Sequence, residues 1–207
     1  SSSSSSSCLK GSIIVNAAGC WGGSVCRDIG GSKMPPIVPK RRRVFVLHSP
    51  EEELRYGIGV PMIFDPAGLW IRREGSVDAG KFLCGMAIGT DPDMKGVAEE
   101  LEDDSAGDQE FFEEHMWETL AARIPAFENL RIQTTWQGFY DFNKMDENAI
   151  IGEHPEIPGF YFAAGFSGHG IQHTPAVGLA LSELIVDGAY STVDLSRFSF
   201  QRVLDGE

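Results

Sequence analysis

Gly159-Phe160-Tyr161-Phe162-Ala163-Ala164-Gly165-Phe166-Ser167-Gly168-His169-Gly170-Ile171-Gln172-His173-Thr174-Pro175 is the stretch that decides how this chain folds. Residues 160–164 are an unbroken apolar run of aromatic and small side chains, the pattern of a strand buried on both faces of a parallel sheet. Gly165, Gly168 and Gly170 follow, giving backbone that reaches positive φ and lets another molecule approach with no Cβ in the way. Thr174 suits an N-cap and Pro175 the first helical position. Val177, Leu181, Leu184 and Ile185 then recur on one face until Gly188 stops the helix. Strand, glycine turn and helix N-terminus, in that order, bring unpaired N–H groups and a partial positive charge to a place a ligand can reach. An anionic or electron-accepting group suits that place; a tight connection chosen for packing alone has the same pattern.

Outward from this stretch, Ile13-Ile14-Val15 predicts another buried strand, ending in Asn16-Ala17-Ala18-Gly19-Cys20-Trp21 and leading through Gly22 and Gly23 to a short helix. Two strands therefore end in Ala-Ala-Gly, which places small residues at two edges of one cleft. Prolines 35, 36 and 39 mark a change of composition. Beyond them Val44 to His48, Met62 to Asp65, Leu69 to Arg72 and Phe82 to Met86 are short strands with hairpin-length connections, hence an antiparallel sheet. The acidic run Glu99 to Asp108 reads as a solvated loop. It leads into a helix whose apolar face is Phe111, Phe112, His115, Met116, Leu120 and Ile124 and which ends at Pro125. Leu130 to Trp136 alternates as a strand, Phe139 to Gly152 turns and returns to the first lobe, and Asp194 to Phe198 reads as a final capped turn or helix. The expected organisation is a low-complexity segment over 1–11, one lobe formed by 12–34 with 144–207, and an antiparallel lobe over 35–143 inserted into it.

With 207 residues, 42% of them hydrophobic and 23% charged, the chain has enough apolar surface for a real core. A net charge of −13 argues against nucleic acid or an anionic membrane as partner. The one basic run, Lys40 to Arg43, reads as the solvated lead-in to a strand. Cys8, Cys20, Cys26 and Cys84 form no CxxC pair, so reduced thiols are expected, and no stretch reads as a secretory signal or a spanning helix. His169 and His173 are four apart, but the turn between them and the lack of a neighbouring carboxylate or cysteine argue against a metal site. His48, His115 and His154 read as surface or packing residues. Trp70, Trp136 and Tyr140 suit either a core or the wall of a substrate pocket.

Several of these segments together resemble the D-amino-acid oxidase and sarcosine oxidase group of FAD-dependent amine oxidoreductases: Val15 to Trp21, Arg72-Arg73-Glu74-Gly75, Phe82-Leu83-Cys84-Gly85, Gly138 to Asn143, Asn148 to Gly152, and Ala164 to Gly170. The resemblance runs from Ile13 to the end and is sharpest toward a mitochondrial branch linked to respiratory complex I assembly. It implies a mixed α/β fold, a partial Rossmann-like FAD-binding lobe plus an inserted antiparallel substrate lobe. It also implies that Ala18, Gly19 and Trp21 lie along the dinucleotide, and that Gly165, Ser167, Gly168, His169, Gly170, Ile171 and Gln172 lie beside the flavin ring, with His169 and Gln172 nearest the chemistry. The activity implied is hydride transfer from a C–N bond of a small amine or amino acid to flavin. Where sarcosine oxidases carry a substrate-binding lysine this chain has the neutral Gln172. Near the position of their flavin-linking cysteine it has Phe139, so FAD is expected to be non-covalent. A GxGxxG unit is absent, and the chain resembles the carboxy-terminal part of such an enzyme. That leaves a fragment, a separate chain supplying the missing lobe, or a non-catalytic assembly subunit that has lost flavin.

Overall fold

A computed structural model of the chain describes residues 10–27, 29–56, 61–76, 79–86 and 107–206. The serine tract, Cys8 and most of the acidic run, 99–106, lie outside the described residues. The chain forms two compact units, one of residues 1–40 with 140–207 and the other of residues 41–139.

In the first unit, β8 (Phe160–Ala164) is the centre of a three-stranded sheet ordered β1-β8-β7, with β1 spanning Ile14–Asn16 and β7 spanning Ile150–Glu153. β1 runs parallel to β8, pairing Ile14 with Phe160 and Asn16 with Phe162, whereas β7 returns antiparallel through a hairpin. The sheet is therefore mixed, since the turn 154–159 is too short for the crossover a parallel pair needs. Burial in β8 follows its central place, with Phe162 and Ala164 fully buried. Phe162 stacks on Phe200 at 5.0 Å, and His154 packs 4.7 Å from Phe200. The opposite face carries α5 (Thr174–Asp187), whose Val177, Ala180 and Leu181 lie over Ile151 and Tyr161. Gly188, at φ 75°, ends α5 by donating its N–H to the Leu184 carbonyl. Arg202 of α6 (Gln201–Asp205) donates to the carbonyls of Phe198, Asn148 and Ala149 and pairs with Asp146, which ties the chain end to the start of β7.

Two local expectations change here. β1 is an exposed edge strand, with Ile14 52% exposed, and among the described residues no strand pairs its outer side. The cap of α5 is His173, not Thr174; the Thr174 hydroxyl instead donates to the Ile171 carbonyl at 2.9 Å. Of the two expectations for His154, surface or packing, the structure shows packing: it is buried.

Burial lowers the pKa of His154, against the smaller opposing pull of Glu156, and its Nδ1 accepts the Glu156 N–H at 3.1 Å. Protonation would cost that acceptor as well as desolvation. A folded pKa below the unfolded value of about 6.5 means that this contribution is intact above the unfolded value and is lost as pH falls through the folded one. The thermal midpoint of the chain should accordingly drop between pH 7 and pH 5, and His154→Phe should drop less; equal slopes would remove His154 as the cause.

The second unit is built on a five-stranded sheet ordered β3-β4-β5-β2-β6: Ile63–Phe64, Leu69–Glu74, Lys81–Met86, Ile37–His48 and Arg131–Asn143. β2 and β6 are also the two places where the chain passes between the units. Phe45, Leu47, Ile71, Phe82 and Cys84 face Phe112, Met116 and Leu120 of a helical run made of α3 (Asp108–Phe112), a π-helical turn over Glu113–Trp117, and α4 (Glu118–Arg123). Pro125 follows its end, as expected. Burial pushes the Cys84 thiol up to about 12, so it is an inert core residue. The basic run lies inside β2 rather than ahead of it. Arg41 is buried, and Arg43 meets Asp108 at 3.2 Å and lies over Phe111. Buried Asp108 also receives the Thr135 hydroxyl, so the last residue of the acidic run is an internal partner and not part of a solvated loop. On the face opposite the core Trp70 lies across Gly85, where a Cβ would come within 2.7 Å of the indole ring.

Candidate functional site

β1 and β8 are parallel neighbours, so the segments that leave their carboxyl ends start side by side at one end of the first unit's sheet. From β1 come Ala18, Gly19 and Trp21, the last two in a 3-10 turn (Gly19–Trp21) that leads to α1 (Gly22–Arg27). Asn16, buried at the strand end, shapes this turn. Its Nδ2 donates to the Gly22 carbonyl at 2.9 Å, and its Oδ1 accepts the Ala18 N–H at 3.3 Å. A Cβ on Gly22 would stand 3.1 Å from that of Ala164, so the two segments lie in contact at their roots. Ile37 packs beneath both, 3.1 Å from a Cβ at Gly165 and 3.7 Å from one at Gly22. Burial raises the pKa of the Cys20 thiol, and the charge of Asp141 adds to this.

From β8 comes the glycine turn. Gly165, Ser167 and Gly168 have φ of 83°, 52° and 90°, which puts a serine in the left-handed region between two glycines. Ser167 is held there from several sides. Its N–H donates to the Asp141 carbonyl at 2.9 Å, its Oγ accepts the Asn143 N–H at 3.0 Å, and its hydroxyl lies 3.4 Å from the Gly165 carbonyl. The Asp141 carboxylate takes the N–H groups of Gly165 and Phe166 on one oxygen, at 2.6 and 3.0 Å. Beyond Ser167 the turn opens to solvent. Gly168 is exposed, Ile171 is 84% exposed, and Gln172, His173 and the first three residues of α5 are exposed with them. A Cβ at Gly168 would lie 3.5 Å from the Tyr140 ring, an ordinary contact, whereas one at Gly170 would strike Phe166 at 2.8 Å. The rings of His169 and His173 stand 5.5 Å apart, edge to face. Among the described residues no group of three His, Cys, Asp or Glu side chains could hold a metal ion.

The expected site residues thus fall into two sets. Gly168, His169, Gly170, Ile171 and Gln172 line the open part of the turn, and Ala18, Gly19 and Trp21 stand at the end of the adjoining strand. Gly165 and Ser167 face inward, their polar groups engaged by β6, so they shape the turn rather than offer donors to a ligand. Asp141 and Asn143 were singled out only as part of a motif. Their partners lie 24 residues away along the chain, and no local spacing announces such a bond.

This strand-turn-helix, set in a mixed α/β fold, defines a class: the family described as FAD dependent oxidoreductase (DAO) matches residues 3–184, and the chain belongs to that family. Among curated relatives, FAD-dependent oxidoreductase domain-containing protein 1 of Xenopus laevis is 42% identical over 92% of this chain. The match takes in 38% of that protein, so the chain spans about two fifths of its relative's length. Among solved structures, L-proline dehydrogenase from P. horikoshii superposes with a TM-score of 0.74 and 26% identity over 94% of this chain and 48% of the other. Glycine oxidase from Geobacillus kaustophilus shares the fold, with a TM-score of 0.67 and 21% identity over 90% of this chain and 44% of the other. Among the described residues no helix is long and apolar enough to cross a membrane.

Proposed function

We propose that this chain forms the flavin-ring side of an FAD-dependent oxidoreductase that oxidises a C–N bond of a small amine or secondary amino acid. The observation that carries the reading is the exposed turn Gly168–Gln172, between the carboxyl end of β8 and the N-terminus of the 14-residue helix α5, beside the end of β1. FAD, when bound, supplies the acceptor for a hydride leaving the substrate carbon. The chain's own part is to bind and orient. With glycine at 168 and 170 the turn would admit a flat ring, and the N-terminus of α5 would offer it a partial positive charge. His169 and Gln172 stand on that turn as the polar side chains nearest the reacting atoms. Gln172 brings no positive charge, so the substrate carboxylate, if there is one, is met elsewhere. Phe139 offers no thiol, and FAD is held without a covalent link. The family membership and the named activities of L-proline dehydrogenase and glycine oxidase support this substrate class.

A second reading rests on a different observation. Ile13, Ile14 and Val15 are 47%, 52% and 42% exposed along a strand edge that no other strand pairs among the described residues, an apolar border of the kind that takes a protein partner. In it the chain is a non-catalytic subunit in mitochondria, where its fold serves the assembly of a respiratory complex.

Flavin binding separates the two. On titration of the chain with FAD, and with riboflavin to isolate the ring, flavin fluorescence anisotropy should rise to saturation. A flat titration with both ligands would end the first reading for this polypeptide.

A further inference from the structure

The N–H groups of Gly165, Phe166 and Ser167 are consecutive, and the positive φ values at Gly165 and Ser167 turn them toward one side. Successive amides arranged in this way form an anion-binding concavity, of the kind that elsewhere receives a phosphate or carboxylate ligand. Here the concavity is filled from within. Asp141 Oδ2 accepts the N–H groups of Gly165 and Phe166 at 2.6 and 3.0 Å, and the Asp141 carbonyl accepts that of Ser167 at 2.9 Å. All three donors of the turn's first half therefore end on one residue of β6. The neighbouring Asn143 N–H, 3.0 Å from Ser167 Oγ, holds the serine at its unusual φ of 52°.

We infer that Asp141 is a positioning residue that acts as the built-in ligand of this anion nest: its carboxylate sets the shape of the turn and excludes external anions from residues 165–167. Two consequences follow from charge and geometry. Hydrogen bonds from amides to a carboxylate are stronger than neutral ones, which suits bonds that fix Gly165 and Phe166 directly ahead of a serine in the left-handed region. An anionic group of a ligand entering from solvent is repelled from the first half of the turn and directed to the open half, residues 168–172. The second consequence rests on the reading of that open half as the flavin-ring site; the first does not.

Anion rescue tests the inference in the 207-residue chain, with or without flavin. In Asp141→Gly the amides of Gly165 and Phe166, followed by hydrogen exchange, should lose protection by about tenfold or more, the equivalent of one charged hydrogen bond, whereas the amide of Ser167, bonded to the main-chain carbonyl that glycine keeps, should change less. Amides of β8 should change little. Formate should restore protection in a saturable way in the variant and leave the wild type unaffected, while equal ionic strength of sodium chloride should not. Asp141→Asn, which keeps an acceptor oxygen, should retain part of the protection. Unchanged exchange in Asp141→Gly, or lost protection that formate does not restore any better than chloride, would overturn the assignment. If the wild type takes up no flavin, the flavin reading fails while the exchange measurement still decides the role of Asp141. If the wild type does take it up, Asp141→Gly should weaken FAD by about tenfold, and equal affinity would remove its positioning role at that site.

Discussion

Phe162→Ala is expected to lower the stability of the first unit by about 3–5 kcal/mol. Phe162 is fully buried at the middle of the central strand, between β1 and β7, and its ring meets Phe160 at 5.3 Å, His154 at 5.7 Å and Phe200 at 5.0 Å. Truncation removes the shared partner of all three rings. The surrounding sheet is hydrogen-bonded on both sides and cannot close over the gap, so most of the cavity cost remains. A domain of this size has a total stability of about 5–15 kcal/mol, and a loss of this order leaves the first unit near its unfolding threshold at body temperature. Urea unfolding followed by hydrogen exchange at β8 amides isolates this unit from the other. Phe64→Ala is the control: that ring is 73% exposed, and its loss should cost less than about 0.5 kcal/mol. A midpoint for Phe162→Ala equal to that of the control would show that the aromatic cluster around β8 is not what holds the unit together.

The second large effect falls on ligand binding. Gly168→Val should abolish or weaken FAD uptake by about ten- to a hundredfold, the equivalent of about 1–3 kcal/mol of overpacking, with the fold retained. Gly168 has φ 90°, where a valine is strained, and lies on the open side of the turn. Its Cβ would meet the Tyr140 ring at an ordinary 3.5 Å and nothing closer, so the added bulk makes no clash with the core. Circular dichroism should be close to that of the wild type, and Gly168→Ala should fall between the two in affinity. If the wild type binds FAD and Gly168→Val binds it equally well, the ring does not rest on this turn.

Repeated local features made much of this molecule readable. The 3.6-residue recurrence of Val177, Leu181 and Leu184 defines α5 and its buried face, and Gly188 stops it, because helix phase and the left-handed stop are properties of a few adjacent residues. The same holds for Phe112, Met116 and Leu120, and for the strands around Ile63, Ile71 and Phe82. The strand-turn-helix over 160–187 and its family were legible for the same reason. Exposure of β1 was not: Ile13-Ile14-Val15 is apolar whether or not another strand lies beside it, and it is the sheet order that leaves its outer edge unpaired among the described residues. The N-cap is His173, one residue earlier than Thr174, whose hydroxyl donates to the Ile171 carbonyl.

What the amino-acid sequence determined alone is where the elements lie, which faces of the helices are apolar, and where backbone without side chains must turn, since each depends on neighbours a few positions apart. Tertiary structure decided the rest. It set β7 antiparallel beside β8, paired Arg43 with the buried Asp108, and brought Asp141 across 24 residues of chain to fill the nest at 165–167. A carboxylate's partner is chosen by which strand ends meet in space, and that follows from the packing of the whole sheet, not from any window of the chain.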